Sequence, residues 1–163
     1  MSETKKIGVM FVCMGNICRS PMAEAVFQYL VNQSGLKHRF EVASSGTDTW
    51  HIGERPHSGT QSILRERNIT LNPHKRAQQI RKSDFEKYDY IIAMDSQNAA
   101  NLKQFGNVRR LLDFAPPVSP KDVPDPYYER NFDYVFDLVM SGSKGLLTYI
   151  YQQKGIIDDP KVT

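Results

Sequence analysis

The chain has 163 residues, 40% of them hydrophobic, which fits one compact domain that buries its core without disulfides or metal ions. A formal net charge of +3 suits an anionic substrate, but the charge is too small and too scattered for a nucleic-acid-binding surface. The only two cysteines, Cys13 and Cys18, lie too close together for the disulfide framework of a secreted domain, so we expect reduced thiols and a cytoplasmic protein.

The first predicted element is a strand at Ile7–Val12, whose uninterrupted apolar run is typical of a strand buried on both faces. Because Met1–Lys6 is polar and the apolar run is short, we expect no signal peptide, and no stretch is long enough to span a bilayer. Pro21 predicts the start of a helix, in which apolar residues recur at helical spacing until Ser34–Gly35 ends it.

Strands and helices continue to alternate along the chain. The later predicted elements are a strand at Phe40–Ala43, a helix at Gln61–Arg67, a short helix at Lys82–Lys87, a strand at Asp89–Met94, a helix after Ser96, a strand at Val108–Leu112 and a closing helix at Asn131–Tyr151. The stretch Pro116–Pro126 contains five prolines and is predicted to be a loop, and we expect a frayed tail from about residue 155.

This alternation predicts an α/β fold: a single doubly wound domain over residues 1–163, with a four-stranded parallel sheet and helices on both faces. In such folds, ligands bind beyond the carboxyl ends of the strands, where a loop enters a helix. The loop after the first strand is therefore the first place to look for a functional site.

That loop, Cys13–Pro21, has the composition of a phosphate-binding loop. Backbone N–H groups and the N-terminus of the following helix converge on an anion in such a turn. Gly15 is expected to supply unusual backbone angles, Arg19 a planar fork for two phosphate oxygens, and Cys13 a thiolate aimed at phosphorus. The alternatives are a buried structural cysteine beside a surface arginine and, for Ser20, an ordinary helix cap.

The loop resembles the active-site segment of the low-molecular-weight protein tyrosine phosphatases, and further blocks follow that family in the same order. The blocks are Val12–Glu24, Ser45–Gly46, Trp50–Gly53, Asp84–Phe85, Tyr88–Ile91, Met94–Asp95 and Asp125–Tyr128. The resemblance implies hydrolysis of protein phosphotyrosine and small aryl phosphates through a phosphocysteine intermediate, with no cofactor or metal. It also implies phosphotyrosine-containing proteins as partners, inhibition by phosphate or other oxyanions, no nucleic-acid or membrane partner, and a monomer with at most weak self-association.

The resemblance assigns roles to individual residues. Cys13 is the nucleophile, Arg19 the phosphate clamp, and Asp125 the general acid and then the general base, although an Asp-Pro pair is also typical of a turn. The implied substrate-binding residues are those of the loop, Met14, Gly15, Asn16, Ile17, Cys18 and Ser20, and two aromatic walls, Trp50 with His51 and Tyr127 with Tyr128. Aromatic walls suit a flat aryl group, whereas the alternative is that these rings only pack the loops.

A second set of polar residues is similar to the family residues that hold the loop in shape: Ser45, His74 and Asp95. The family places an arginine three residues after the histidine, whereas Arg76 follows by two, so both residues could also be plain surface residues. Asp95 either orients Arg19 or caps a helix. Cys18 either forms a disulfide with the nucleophile under peroxide or fills space in the core.

Four rival functions share part of this pattern. Arsenate reduction needs further downstream cysteines, and none follows Cys18. The phosphoarginine branch of the family carries threonine where this chain has Ile17, which favours phosphotyrosine. A non-catalytic phosphate-binding module would have lost one of the three catalytic residues, and metal-dependent hydrolysis would need a ligand cluster that does not accompany the loop.

Overall fold

The structure, a computed structural model, describes residues 5–156. Its strands and helices, in chain order, are β1 (Ile7–Cys13), α1 (Arg19–Gln33), β2 (Phe40–Gly46), α2 (Ser58–Glu66), α3 (Asp84–Lys87), β3 (Tyr90–Ala93), α4 (Ser96–Leu102), β4 (Arg109–Arg110), α5 (Pro126–Glu129) and α6 (Phe132–Lys154). Short 3-10 turns occupy Lys37–Arg39, Lys103–Phe105 and Leu111–Phe114. In this part of the chain, no helix combines the length and the apolar character that crossing a bilayer requires.

The strands form a parallel sheet in the order β2-β1-β3-β4, which confirms the predicted α/β fold. β1 pairs with β2 along its whole length, from Ile7 opposite Phe40 to Cys13 opposite Gly46. On its other side β1 pairs with β3, so the strand order reverses at β1. The loop that follows Cys13 thus opens at the switch point of the sheet, where ligands bind in this class of fold.

Both faces of β1 are covered, and all seven of its residues are buried. Phe11 and its odd-numbered neighbours belong to the larger apolar cluster, which includes buried residues of α1 and α6. Met10 and Val12 belong to a cluster on the opposite face, together with Ile91 and Leu102. Because each fully buried aliphatic or aromatic side chain contributes roughly 1.5–3 kcal/mol, β1 is a rigid base for the loop that leaves it.

The start of α1 differs from the prediction. The helix begins at Arg19, with Cys18 at its cap position, so Pro21 is the third helical residue rather than the first. Proline is tolerated there because the first four N–H groups of a helix have no partner inside the helix. Ser20 lies inside the helix and is not its cap, so its hydroxyl is available to other groups.

The other boundary differences follow from tertiary packing. β4 is limited to Arg109–Arg110, since the apolar Leu111 and Leu112 belong to a 3-10 turn and are buried in the core cluster with α6. β2 is longer than predicted and extends through Ser44 to Gly46. α6 ends at Lys154 and is followed by Gly155, whose φ of 64° is left-handed. The frayed tail predicted from about residue 155 lies outside the described residues from residue 157 onward.

Candidate active site

The sulfur of Cys13 lies at the base of the loop between β1 and α1, in a residue that is only 2% exposed. Its Sγ accepts the backbone N–H of Asn16 at 3.2 Å and lies 3.0 Å from the hydroxyl of Ser20. Both partners sit next to the N-terminus of α1, whose dipole favours negative charge. The loop therefore offers a polar, preformed environment to one buried sulfur.

Asn16 holds the loop in its shape. Its φ of 57° is left-handed, a conformation that asparagine adopts more readily than most residues. Its side-chain Nδ2 donates to the hydroxyls of Ser20 at 2.8 Å and Ser44 at 3.0 Å, and its Oδ1 accepts the N–H of Gln78 at 3.0 Å. These three bonds anchor a buried side chain between the loop, β2 and the segment after residue 77.

The predicted use of Gly15 is wrong, because the positive φ belongs to Asn16. What Gly15 provides is space: a Cβ there would lie 2.9 Å from the ring of His51. Gly46 at the end of β2 is more restrictive still, since a Cβ would lie 2.7 Å from the carbonyl oxygen of Met14. Side chains at these two positions would push the loop away from its neighbours.

A largely buried ion pair, Glu24 with Lys75, lies next to Ser44, the partner of Asn16. Ser44 donates its hydroxyl to Glu24 Oε1 at 2.6 Å, and Lys75 Nζ donates to the Ser44 carbonyl at 2.8 Å while lying 3.7 Å from the same Glu24 oxygen. Burial raises the pKa of Glu24, against the opposing charge of Lys75. Burial likewise lowers the pKa of Lys75, against the charges of Glu24 and Cys13. The pair fixes Ser44, which in turn holds the side chain of Asn16.

The structure places two of the predicted supporting residues differently from the expectation. His74 is exposed, and its neighbour Lys75 is the buried residue that reaches the loop support. The side chain of Ser45 points to the opposite face of β2 and donates to Met10 Sδ at 3.2 Å, so only its carbonyl faces Ser20. Because side chains alternate along a strand, extending the predicted β2 from Phe40 would have indicated Ser44 instead.

Arg19 crosses from the start of α1 into the site, and it is 4% exposed. Its Nη1 donates to Asp95 Oδ2 at 2.6 Å and to the carbonyl of Val123 at 3.0 Å. Its Nε is buried and has no hydrogen-bond partner within residues 5–156. Burial alone would lower the pKa of Arg19, but the negative charges of Cys13, Asp95 and Asp125 raise it above its usual value.

Asp95 realises both of the alternatives considered for it. One carboxylate oxygen binds Arg19, and the other accepts the N–H of Asn98 at 2.7 Å as the cap of α4. The guanidinium is therefore held by its Nη1 end. Its Nε–Nη2 edge remains for another ligand.

Asp125 approaches that edge from the far side of the cleft. Its Oδ2 lies 3.7 Å from Arg19 Nη2, and its Oδ1 accepts the N–H of Tyr127 at 3.0 Å as the cap of α5. Asp125 can therefore cap the turn with Oδ1 while its Oδ2 faces Arg19, so the turn and the catalytic role predicted for this residue are compatible. Pro126 occupies the first position of the short helix, where no N–H is needed.

These groups face one cleft of about 280 Å³. The predicted residues that line it are Cys13, Met14, Gly15, Ile17, Cys18, Arg19, Trp50, His51, Asp125, Tyr127 and Tyr128. The remaining predicted loop residues, Asn16 and Ser20, are buried and support the loop through hydrogen bonds. Asp48 also lines the cleft and was missed, because no motif marks it; its N–H donates to the carbonyl of Met14 at 2.9 Å.

The aromatic walls differ in how firmly they are held. The rings of His51 and Tyr127 lie 6.0 Å apart, and His51 Nδ1 is 3.1 Å from Glu54. Trp50 is 86% exposed and Tyr128 is 73% exposed, so both stand at the rim. Their contact with a substrate ring stays a prediction.

Cys18 lies in the same loop as a free thiol. Burial raises its pKa to about 12, and the negative charges of Cys13 and Asp125 act in the same direction. Cys18 is therefore a neutral thiol near pH 7, which suits a space-filling residue. A disulfide with Cys13 stays a prediction. Within residues 5–156, no cluster of three or more His, Cys, Asp or Glu side chains could hold a metal ion.

Comparisons with known proteins show which family the chain resembles. Residues 8–155 match the family model described as low molecular weight phosphotyrosine protein phosphatase. The chain is 44% identical to the low molecular weight protein-tyrosine-phosphatase YfkJ of Bacillus subtilis, over 91% of this chain and 98% of that protein. It is 41% identical to the corresponding phosphatase PtpA of Staphylococcus aureus, over 92% and 97%.

Solved structures show the same likeness. The crystal structure of YfkJ from Bacillus subtilis superposes with a TM-score of 0.89 at 42% identity, covering 94% of this chain and 99% of that one. The crystal structure of DARP, a Drosophila arginine phosphatase, superposes with a TM-score of 0.80 at 28% identity, covering 93% and 99%.

Proposed function

Because the chain belongs to the low molecular weight phosphotyrosine protein phosphatase family, we propose that it hydrolyses protein phosphotyrosine through a phosphocysteine on Cys13. The chain is a protein-tyrosine phosphatase, and the proposal concerns which residues perform the reaction. One observation carries it: the Cys13 sulfur, the open edge of Arg19 and the Asp125 carboxylate face the same cleft. A nucleophile, an anion clamp and a proton donor are what transfer of a phosphoryl group to sulfur requires.

The first step is attack of the Cys13 thiolate on phosphorus. The sulfur–phosphorus bond forms while the bond from phosphorus to the tyrosyl oxygen breaks on the opposite side. Arg19 holds two equatorial oxygens with Nε and Nη2, since Nη1 already binds Asp95 and Val123. The N–H groups of the loop and the dipole of α1 stabilise the remaining charge.

Asp125 serves both halves of the reaction. As an acid it gives its proton to the departing phenolate, and as a carboxylate it then takes a proton from the water that attacks the phosphocysteine. Its Oδ2 is the oxygen nearer to Arg19, whereas Oδ1 is engaged by the Tyr127 N–H. Hydrolysis releases inorganic phosphate and restores the thiolate, so the cycle needs no cofactor.

The cleft also supports a substrate class. The rings of His51 and Tyr127 line the cleft, with Trp50 and Tyr128 at its rim, and such an aromatic lining suits a flat aryl group. Ile17 lines the cleft and offers no hydroxyl to a guanidinium-linked phosphate, which favours phosphotyrosine over phosphoarginine. We place the protein in the cytoplasm, acting as a monomer on phosphotyrosine-containing proteins, with free phosphate as a competing ligand.

The substrate assignment predicts selective turnover in a panel of three matched peptides carrying phosphotyrosine, phosphoserine or phosphoarginine. Phosphate should be released selectively from the phosphotyrosine peptide, at the same rate with and without a metal chelator. A preference for phosphoarginine would mean that Ile17 is misread while the mechanism stands. No release from any peptide would favour a phosphate-binding module over an enzyme.

The proton-donor assignment predicts that Asp125→Asn slows turnover most when the leaving group is poor. The amide keeps an oxygen for the Tyr127 N–H, so the cap of α5 survives while the proton is lost. We expect kcat/KM to fall about 100-fold or more for phenyl phosphate, and much less for 4-nitrophenyl phosphate, whose phenolate leaves without a proton. Equal losses for both esters would contradict the assignment.

A further inference from the structure

His57 belongs to no sequence motif, yet it contacts two parts of the active site and also caps α2. Its backbone N–H donates to the carbonyl of Ile17 in the phosphate loop at 2.7 Å. Its Nδ1 accepts the N–H of Gly59 at 2.9 Å and so caps α2. Its ring centroid lies 5.7 Å from that of Tyr127, in an edge-to-face arrangement at 74°. One residue thus joins the phosphate loop to the wall of the cleft.

The ring of His57 is held in one orientation. The cap requires Nδ1 to be an acceptor, which fixes the plane of the ring relative to α2. The ring also stacks on Phe132 at the start of α6, with centroids 5.3 Å apart and planes 26° apart. Phe132 itself packs directly on Gly59, where an added Cβ would collide with its ring. The ring is therefore a fixed surface against which Tyr127 rests.

Tyr127 connects the ring of His57 to the carboxylate of Asp125. The Tyr127 N–H donates to Asp125 Oδ1 at 3.0 Å, while the other oxygen of that carboxylate faces Arg19. α5 has only four residues, so it contributes little rigidity of its own. The contact between the rings of Tyr127 and His57 ties this short helix to α2 and α6.

We propose that His57 is a positioning residue for the proton donor: its ring sets Tyr127, and Tyr127 sets the Asp125 carboxylate against the bound ester. This inference rests on the proposed function of Asp125. A displacement of about 1 Å in a reacting group can cost about 100-fold in rate, so a loosened Tyr127 has a measurable effect. Since proton donation matters most for poor leaving groups, the effect depends on the ester.

A matched pair of variants separates the ring from the cap. His57→Asn keeps an acceptor for the Gly59 N–H but removes the aromatic ring, whereas His57→Phe keeps a ring but removes the acceptor. We expect His57→Asn to lower kcat/KM about tenfold more for phenyl phosphate than for 4-nitrophenyl phosphate. His57→Phe should keep the wild-type ratio between the two esters and instead lower Tm. His57→Ser, a shorter cap without a ring, repeats the test if the asparagine variant does not fold.

Measuring Asp125→Asn in parallel distinguishes failure of the inference about His57 from failure of the proposed role of Asp125. If Asp125→Asn changes the ratio and His57→Asn leaves it at the wild-type value, His57 does not position the donor, and the proposed function stands. If both His57 variants change the ratio equally, keeping an aromatic ring does not preserve the position of the donor, and the inference is wrong. If Asp125→Asn itself leaves the ratio unchanged, the proposed role of Asp125 fails first.

Discussion

Cys13→Ser will abolish turnover and leave phosphate binding in place. The serine oxygen can keep the contacts with the Asn16 N–H and the Ser20 hydroxyl, so the loop retains its shape. An un-ionised hydroxyl is a far weaker nucleophile than a thiolate, and we expect a loss on the order of 10⁵-fold or more. Phosphate release from the phosphotyrosine peptide measures the loss, and calorimetric titration with inorganic phosphate measures the binding.

The same substitution at Cys18, Cys18→Ser, is the matched control for Cys13→Ser. Cys18 is a buried neutral thiol, and Cys18→Ser alters its packing without removing a nucleophile. Its effect on turnover should be smaller by orders of magnitude. Substantial phosphate release by Cys13→Ser would show that the sulfur is not the nucleophile. Loss of phosphate binding together with activity would show that the structure of the loop depends on the sulfur.

The second large effect is expected for Arg19→Lys. An ammonium group keeps the charge, but it cannot hold Asp95 and Val123 with one end and two phosphate oxygens with the other. We expect kcat/KM to fall about 1000-fold, since a preorganised donor pair at the reacting phosphate is lost. Phosphate affinity should fall as well, which titration of the variant would measure.

Arg67→Lys provides the matched control for that exchange. Arg67 lies just beyond α2, within 3.8 Å of Asp133 and Asp137 and over the ring of Phe136, outside the cleft. It should keep wild-type turnover and lose only a little stability. Near-normal activity of Arg19→Lys would mean that Arg19 does not clamp the phosphate.

The amino-acid sequence was sufficient to predict those features that depend on residues close together in the chain. The unbroken apolar run of β1 and the alternation of strands and helices predicted the parallel sheet, because burial on both faces leaves no polar side to the central strand. The loop from Cys13 to Ser20 was recognisable for the same reason, since its residues are consecutive. Asp125 came from the family resemblance, because no local pattern links it to a cysteine at the other end of the fold.

Sequence reasoning failed where a contact depends on how distant segments meet. Choosing between His74 and Lys75 needs the path of the chain beside β2, which brings Lys75 Nζ to Ser44. His57 gains its place only when α2, α5 and α6 converge on it. β4 is short because Leu111 and Leu112 pack in the core as a turn, and a strand pattern looks the same in either case.

The site is divided between a buried floor and an exposed rim, and this division bears on how such enzymes diverge. The floor is a closed hydrogen-bonded unit in which Asn16 and Ser44 each satisfy several partners, so a change there disturbs its neighbours. Trp50 and Tyr128 are mostly in solvent, where substitutions typically alter stability by less than about 0.5 kcal/mol. Evolution can therefore replace the rim and change the preferred phosphoester while the chemistry below stays the same.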